Sequence, residues 1–192
     1  IENFIANSKP SFLYKSNLSG VDVGNATHKF MCYANFENIS KYGVKKEIDF
    51  LYNRGFLNKS ECNALCIPSL ENFVNSNLFN RILNSEKVIR EHRFLVKILP
   101  EFLNNDFNFK NVKETENKNF IVLQGAIDCA FLENDKYVLV DYKTDKISDI
   151  SELFDKYNKQ VELYKYALKI SENIDVKETI LYSFSLGESY SF

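Results

Sequence analysis

Residues 120–143 hold two strand-like runs separated by one tight turn, and that turn fixes how the runs pair. Small and apolar residues dominate from Phe120 to Phe131, and every residue from Tyr137 to Val140 is aromatic or aliphatic. Asn and Asp tolerate the positive φ angles of a tight hairpin, so Asn134-Asp135 is the natural two-residue loop. The loop sets Glu133 against Lys136, and continuing the ladder outward brings Asp128 opposite Asp141. Directly opposed residues have Cβ atoms roughly 4.5–5.5 Å apart and point to one face. Lys143, two residues beyond Asp141, shares that face because strand side chains alternate.

Two carboxylates and an ammonium therefore converge on one patch. Facing carboxylates repel unless a cation or a shared proton lies between them. With oxygen ligands and no cysteine pair nearby, a hard divalent ion (Mg²⁺, Mn²⁺ or Ca²⁺) suits the patch. A solvated hairpin face would also carry charges. Val138-Leu139-Val140, however, is a continuous apolar run, which predicts a strand buried on both faces at the centre of a helix-covered sheet. Charged residues closing such a run lie where open α/β sheets place their ligands.

Downstream, Leu153, Phe154, Tyr157, Val161, Tyr164, Ala167 and Leu168 recur at helical spacing between Ser151 and Ser171. Gln160 falls on this stripe, where an unpaired amide would cost about 1–3 kcal/mol. A helix packed beside the hairpin lets Gln160 and Tyr164 hydrogen-bond at the edge of the acidic patch; the alternative is plain core, with Gln160 at its margin. Upstream, Val21 to Ile39 reads as one helix with Ala26, Phe30, Tyr33 and Ala34 on its apolar side. Gly24, His28, Met31 and Cys32 form the adjoining stripe, so His28 can face inward; by default such a histidine is a hydrogen-bonded structural residue. A strand from about Glu86 to Ile98 places Val88, Phe94, Val96 and Ile98 on one face and Glu91 on the other. Glu91 is there a supporting residue or a solvated surface glutamate. His92 is read as a strand residue without chemistry.

The 192 residues fit one compact domain. A helical first half to about Leu83, then a strand, a polar loop at 104–119, the hairpin, the long helix and a last strand from Val176 to Leu186 predict an α/β fold. Its core is a mixed central sheet flanked by helices. The loop, with Asn104, Asn105, Lys110, Asn117 and Lys118, is either an insertion or a DNA contact. A formal charge of −2 gives no global basic footprint, so any nucleic-acid contact is local and salt-sensitive. Lys41, Lys45, Lys46 and Arg54 form one candidate patch and Lys156, Lys159, Lys165 and Lys169 another; either can equally be a solubilising surface. The four cysteines, with Cys62 and Cys66 a helical turn apart, suggest buried reduced thiols in a cytoplasmic protein. No apolar run is long enough to cross a membrane, and four Asn-x-Ser/Thr sequons are incidental in so Asn-rich a chain. The chain opens at Ile1 and holds no phosphate-binding loop or helicase motif, so an excised domain is expected.

Taken in order, Gly125-x-x-Asp128, Asp141-Tyr-Lys143-Thr144 and Gln160-x-x-x-Tyr164 resemble the successive motifs of the PD-(D/E)xK nuclease superfamily, in its RecB-like branch. Within that branch "QGAIDCAF", "YVLVDYKTDK" and "YNKQVELYKYAL" are similar to the C-terminal nuclease domains of the AddA subunits of bacterial AddAB helicase–nucleases. Gly24-Asn-Ala-Thr-His28 resembles the family's Gly-Thr-x-x-His segment, with Asn25 where Thr is frequent, and Arg90-Glu91-x-x-Phe94 resembles its strand with a Glu and an aromatic.

The resemblance implies a restriction-endonuclease-like core and a single nuclease domain over residues 1–192. It makes Asp128 and Asp141 metal ligands, joined by the Tyr142 backbone carbonyl and by His28, with Mg²⁺ as the ion and Mn²⁺ or Ca²⁺ able to replace it. Lys143 holds or polarises the attacking water, and Gln160 and Tyr164 complete the catalytic set. The implied activity is a DNA exonuclease acting on the 3′-terminated strand in double-strand-break repair. A helicase motor feeds it single strands beside an AddB-like partner. Alternatives are another RecB-like exonuclease, Cas4-like or of phage origin, and a catalytically silent module for DNA docking or subunit contact.

Overall fold

A computed structural model describes residues 19–98 and 120–192; the polar loop at 104–119 lies outside them. Six short helices fill the first half: α1 (Gly20–Tyr33), α2 (Phe36–Tyr42), α3 (Val44–Asn53), α4 (Lys59–Ala64), α5 (Ile67–Val74) and α6 (Asn77–Leu83). Capping residues divide them. The Ser19 hydroxyl accepts the Asp22 N–H, and the Asp22 carboxylate answers at the Ser19 N–H. Asn35, Asn58 and Ser76 side chains cap α2, α4 and α6. Asn35 also explains why the single helix expected from Val21 to Ile39 is two. The chain turns extended at Ala34 (ψ 138°) and restarts on the Asn35 cap. Tyr33, expected on the buried side, is 47% exposed and packs on Phe56 with ring centroids 5.0 Å apart.

The second half is a five-stranded mixed sheet in the order β1 (Val88–Ile98), β2 (Ile121–Glu133), β3 (Lys136–Lys143), β4 (Val176–Ser183), β5 (Glu188–Ser191). Neighbours are antiparallel except β3 and β4, which are parallel and joined by the crossover helix α7 (Ser151–Glu172). The β2–β3 turn has φ of 52° at Asn134 and 61° at Asp135, as a two-residue hairpin loop requires. The pairing runs from Glu133·Lys136 to Cys129·Val140 in the expected register. The expected last strand to Leu186 stops at Ser183. Gly187, at φ 74°, turns the chain back into β5.

Helices α1–α6 cover one face of the sheet, with Val138, Val140, Tyr142 and Tyr182, and α7 covers the other, with Leu139, Leu181 and Phe94. Val138, Leu139 and Val140 are each 0% exposed, so the apolar run is the buried centre that the sequence predicts. Phe73 of α5 sits edge-on to Phe79, Tyr142 and Tyr182, which pins the helices to the sheet. At the hairpin tip the Arg81 guanidinium donates to both Glu133 oxygens at 2.9 Å and also bonds Glu178, while Lys177 Nζ lies 2.7 Å from Glu133 Oε2.

Two expectations need correction. The cysteines are free but not uniformly buried. Cys129 is in the core, its thiol pushed up to about 12 by burial, whereas Cys66 is exposed and caps α5 while Cys62 belongs to α4. The alternation expected in β1 also fails: Ile89, not Val88, packs on the core that holds Phe94 and Val96. Among the described residues no helix is long and apolar enough to cross a membrane.

Candidate active site

Four elements deliver the residues singled out in the sequence to one end of the β2–β3 pair. His28 comes from α1, Asp128 from β2, Asp141 and Lys143 from β3, and Gln160 and Tyr164 from α7. Two glycines let these elements close. A Cβ on Gly24 would lie 3.1 Å from the Thr144 hydroxyl oxygen, so glycine brings α1 against the end of β3. A Cβ on Gly125 would lie 2.7 Å from Phe94 Cζ, because the Phe94 ring crosses that glycine to meet Tyr164 edge-on at 5.6 Å.

The two aspartates do not face each other as paired strand residues. Regular pairing ends at Cys129·Val140, and Asp128 instead accepts the Tyr142 backbone N–H on Oδ2 at 2.8 Å. Its Oδ1 lies 3.1 Å from His28 Nδ1. Asp141 is 2% exposed, with Lys143 Nζ 2.7 Å from its Oδ2. That contact is an ion pair without hydrogen-bond alignment, so this buried oxygen has no hydrogen-bond partner. Lys143 also donates to Gln160 Oε1 at 3.2 Å, and the Gln160 amide donates to the Tyr164 hydroxyl at 2.7 Å. Gln160 is thus a relay between lysine and tyrosine, the partnered arrangement the helical stripe anticipates.

The electrostatics match this crowding. Burial lifts the Asp141 carboxyl to about 6; Lys143 opposes the rise and the Asp128 charge adds to it. Burial works against a charged His28, yet the Asp128 hydrogen bond and the charges of Asp128 and Asp141 outweigh it and raise its pKa. Burial, then the Asp141 charge, keeps the Tyr164 phenol protonated well above its usual range.

Two carboxylates and an imidazole nitrogen are a donor set for a hard divalent ion, and the orphaned Asp141 oxygen is a buried anion in need of a cation. The residues fit such an ion. Among the described residues no three His, Cys, Asp or Glu side chains stand ready as a cluster, since His28 and Tyr142 N–H hold Asp128 and Lys143 stands at Asp141. Tyr142 lends only backbone here, its ring being buried against Phe73.

Two contacts escaped the sequence reading. Tyr157, read as core, lies under Lys143 with Nζ 3.9 Å from the ring centroid, and its hydroxyl bonds both oxygens of Asp145 at 3.0 Å. A Lys-x-Asp pair ahead of a helix with an early tyrosine was the available signal. The α7 lysines, in turn, do not form a free basic patch: Lys156 pairs with Asp145, Lys165 with Glu162 and Lys169 with Asp175. Lys41, Lys45, Lys46 and Arg54 are exposed, with Arg54 over the Phe50 ring.

Fold and site together define an α/β domain whose central strands present two aspartates and a lysine beside a helix-borne histidine. No protein-family model matches the chain. Along nearly its whole length it is homologous to part of AddA, the larger-numbered relatives being the AddA components of bacterial ATP-dependent helicase/nucleases. The Clostridium acetobutylicum AddA protein is 33% identical over 188 residues, covering 94% of this chain and 15% of that protein. The Thermoanaerobacter pseudethanolicus protein is 33% identical over 182 residues (93% and 14%), and that of Lachnoclostridium phytofermentans 31% over 211 residues (93% and 15%). The chain thus spans about one seventh of the length of these relatives, 14–15%.

Proposed function

We propose that residues 1–192 are the nuclease domain of an AddA-like protein and that this domain is a metal-dependent deoxyribonuclease, which hydrolyses phosphodiester bonds. The observation that carries this is the convergence of Asp128, Asp141 and Lys143, with one Asp141 oxygen buried and lacking a hydrogen bond. Asp128, Asp141 and His28, with the Tyr142 carbonyl, would hold Mg²⁺, which Mn²⁺ or Ca²⁺ could replace. Bound there, a divalent ion supplies an acidified water and positive charge against the developing phosphorane. Lys143 contributes a point charge to a non-bridging oxygen and orients the water, a role that does not need a bidentate fork. Gln160 and Tyr164 keep its ammonium aimed, and the Tyr157 ring beneath it restricts where it can swing.

By the same homology the parent protein couples this domain to a helicase motor in the cytoplasm and pairs it with an AddB-like partner. The domain would trim the 3′-terminated single strand during double-strand-break repair as an exonuclease. The test is divalent-dependent degradation of single-stranded DNA by the 192-residue chain. We expect slow cleavage that Lys143→Ala abolishes while the fold and Mn²⁺ binding persist; cleavage surviving Lys143→Ala would place the activity elsewhere.

The self-paired state of the site favours a second reading, a catalytically silent DNA-docking or subunit-contact module. DNA binding without cleavage at any divalent concentration would select it.

A further inference from the structure

At one level of the sheet, β1 and β2 both change the face they present. Arg90 of β1 donates to the Met31 and Ala34 carbonyls at the end of α1, whereas His92, two residues on, pairs with Glu172 of α7 at 2.9 Å. In β2, Cys129 lies in the core under α1–α6 and Ile127 in the core under α7. Residues two apart in a regular strand share a face, so each strand contains a half-turn between these pairs. The pairs Arg90·Cys129 and His92·Ile127 keep one register, which places the half-turns at Glu91 and Asp128, opposite each other and with no residue inserted.

Glu91 has φ of 48°, a left-handed conformation that glycine adopts freely, Asn and Asp tolerate, and a glutamate in mid-strand rarely takes. Such outliers persist where the surroundings enforce them, and they gather at functional sites. Here Arg90 on one side and His92 on the other are tied to opposite layers, which enforces the turn.

The consequence falls on Asp128. Ladder bonds of the hairpin recur at every second pair from Glu133·Lys136, so beyond Cys129·Val140 the next belongs to Ile127 and Tyr142. The Asp128 carboxylate takes that place, accepting the Tyr142 N–H at 2.8 Å while its other oxygen meets His28. We propose that Glu91 is a positioning residue: its left-handed backbone turns β1, and β2 with it, so that the Asp128 carboxylate replaces a backbone carbonyl of β2 and lies between His28 and Tyr142. The backbone does this, and the Glu91 carboxylate is not required. The link to catalysis rests on the nuclease reading, but the geometry does not.

Backbone amide exchange of Tyr142, followed by NMR in metal-free protein, reads the hydrogen bond directly. Glu91→Gly and Glu91→Asn should keep Tyr142 protected as in the wild type, because both accept a positive φ. Glu91→Val should expose it to exchange at least about tenfold faster, while the amides of Val138, Leu139 and Val140 stay unchanged. If Glu91→Val does not fold, Glu91→Ala takes its place with a smaller effect of the same sign. Unaltered protection in the folded Val or Ala variant, or loss in Glu91→Gly equal to that in Val, overturns the proposal. Thermal stabilisation of the wild type by Mn²⁺ is measured alongside. Its absence would count against the metal site alone, and Tyr142 exchange would still decide the role of Glu91.

Discussion

The ammonium of Lys143 lies 3.9 Å above the ring of Tyr157, whose hydroxyl is held at 3.0 Å by Asp145, two residues beyond that lysine. A lysine paired only with Asp141 could follow its counter-ion; one that also rests on an anchored ring is confined. Removing the ring should therefore misplace Lys143 without unfolding the domain. A half-desolvated cation–π contact is worth about 1–2 kcal/mol, so Tyr157→Leu should slow divalent-dependent cleavage of single-stranded DNA roughly fivefold to thirtyfold. Tyr157→Phe, which keeps the ring, should lose less. Equal rates for the Leu variant and the wild type would remove Tyr157 from the site.

Burial holds the Asp141 carboxyl near 6, above the 3.8 of a free aspartate. Between about pH 4 and 6 the metal-free fold retains a proton that the unfolded chain has released, so stability should fall as pH rises through that window. Asp141→Asn should flatten that slope. A metal ligand must be ionised, so the rise in melting temperature produced by Mn²⁺ should be small below about pH 5 and full above about pH 7. It should vanish in Asp128→Ala and Asp141→Ala; melting shifts in these variants equal to the wild type's would argue for another site.

Gly125 has no room for a side chain beneath Phe94. Gly125→Ala should cost about 1–3 kcal/mol as an overpacking change. Adding Phe94→Leu should recover part of that loss, a coupling that chemical denaturation of both single variants and the double variant would reveal.

The Arg81 guanidinium, followed by Lys177, holds Glu133 down to about 2, and Arg81 also lowers Glu178. Both glutamates have folded pKa values below their unfolded ones. Their contribution is therefore complete above about pH 4.5 and is lost as pH falls toward 2. Arg81→Met should remove that acid-sensitive portion and cost about 1 kcal/mol near neutrality, the scale of partly screened ion pairs. Acid titrations of wild type and variant, monitored by circular dichroism, should converge at low pH.

Much of this fold is legible in the chain itself. Asn134-Asp135 carries its own turn conformation, the run Val138–Val140 announces a strand covered on both sides, and the stripe from Leu153 to Leu168 announces the helix that covers one of them. Turn chemistry and hydrophobic period are local properties, so sequence reports them. The hairpin register likewise puts Asp141 and Lys143 on one face and Asp128 nearby. It could not say that Asp128 leaves the ladder, that Glu91 adopts a left-handed backbone, or that Arg90 and His92 reach opposite layers. Nor could it separate Tyr157 beneath a lysine from Tyr157 in an ordinary core. Those outcomes depend on how two helical layers pull on the same strands, a balance among contacts distant in sequence and settled only when the layers close on the sheet.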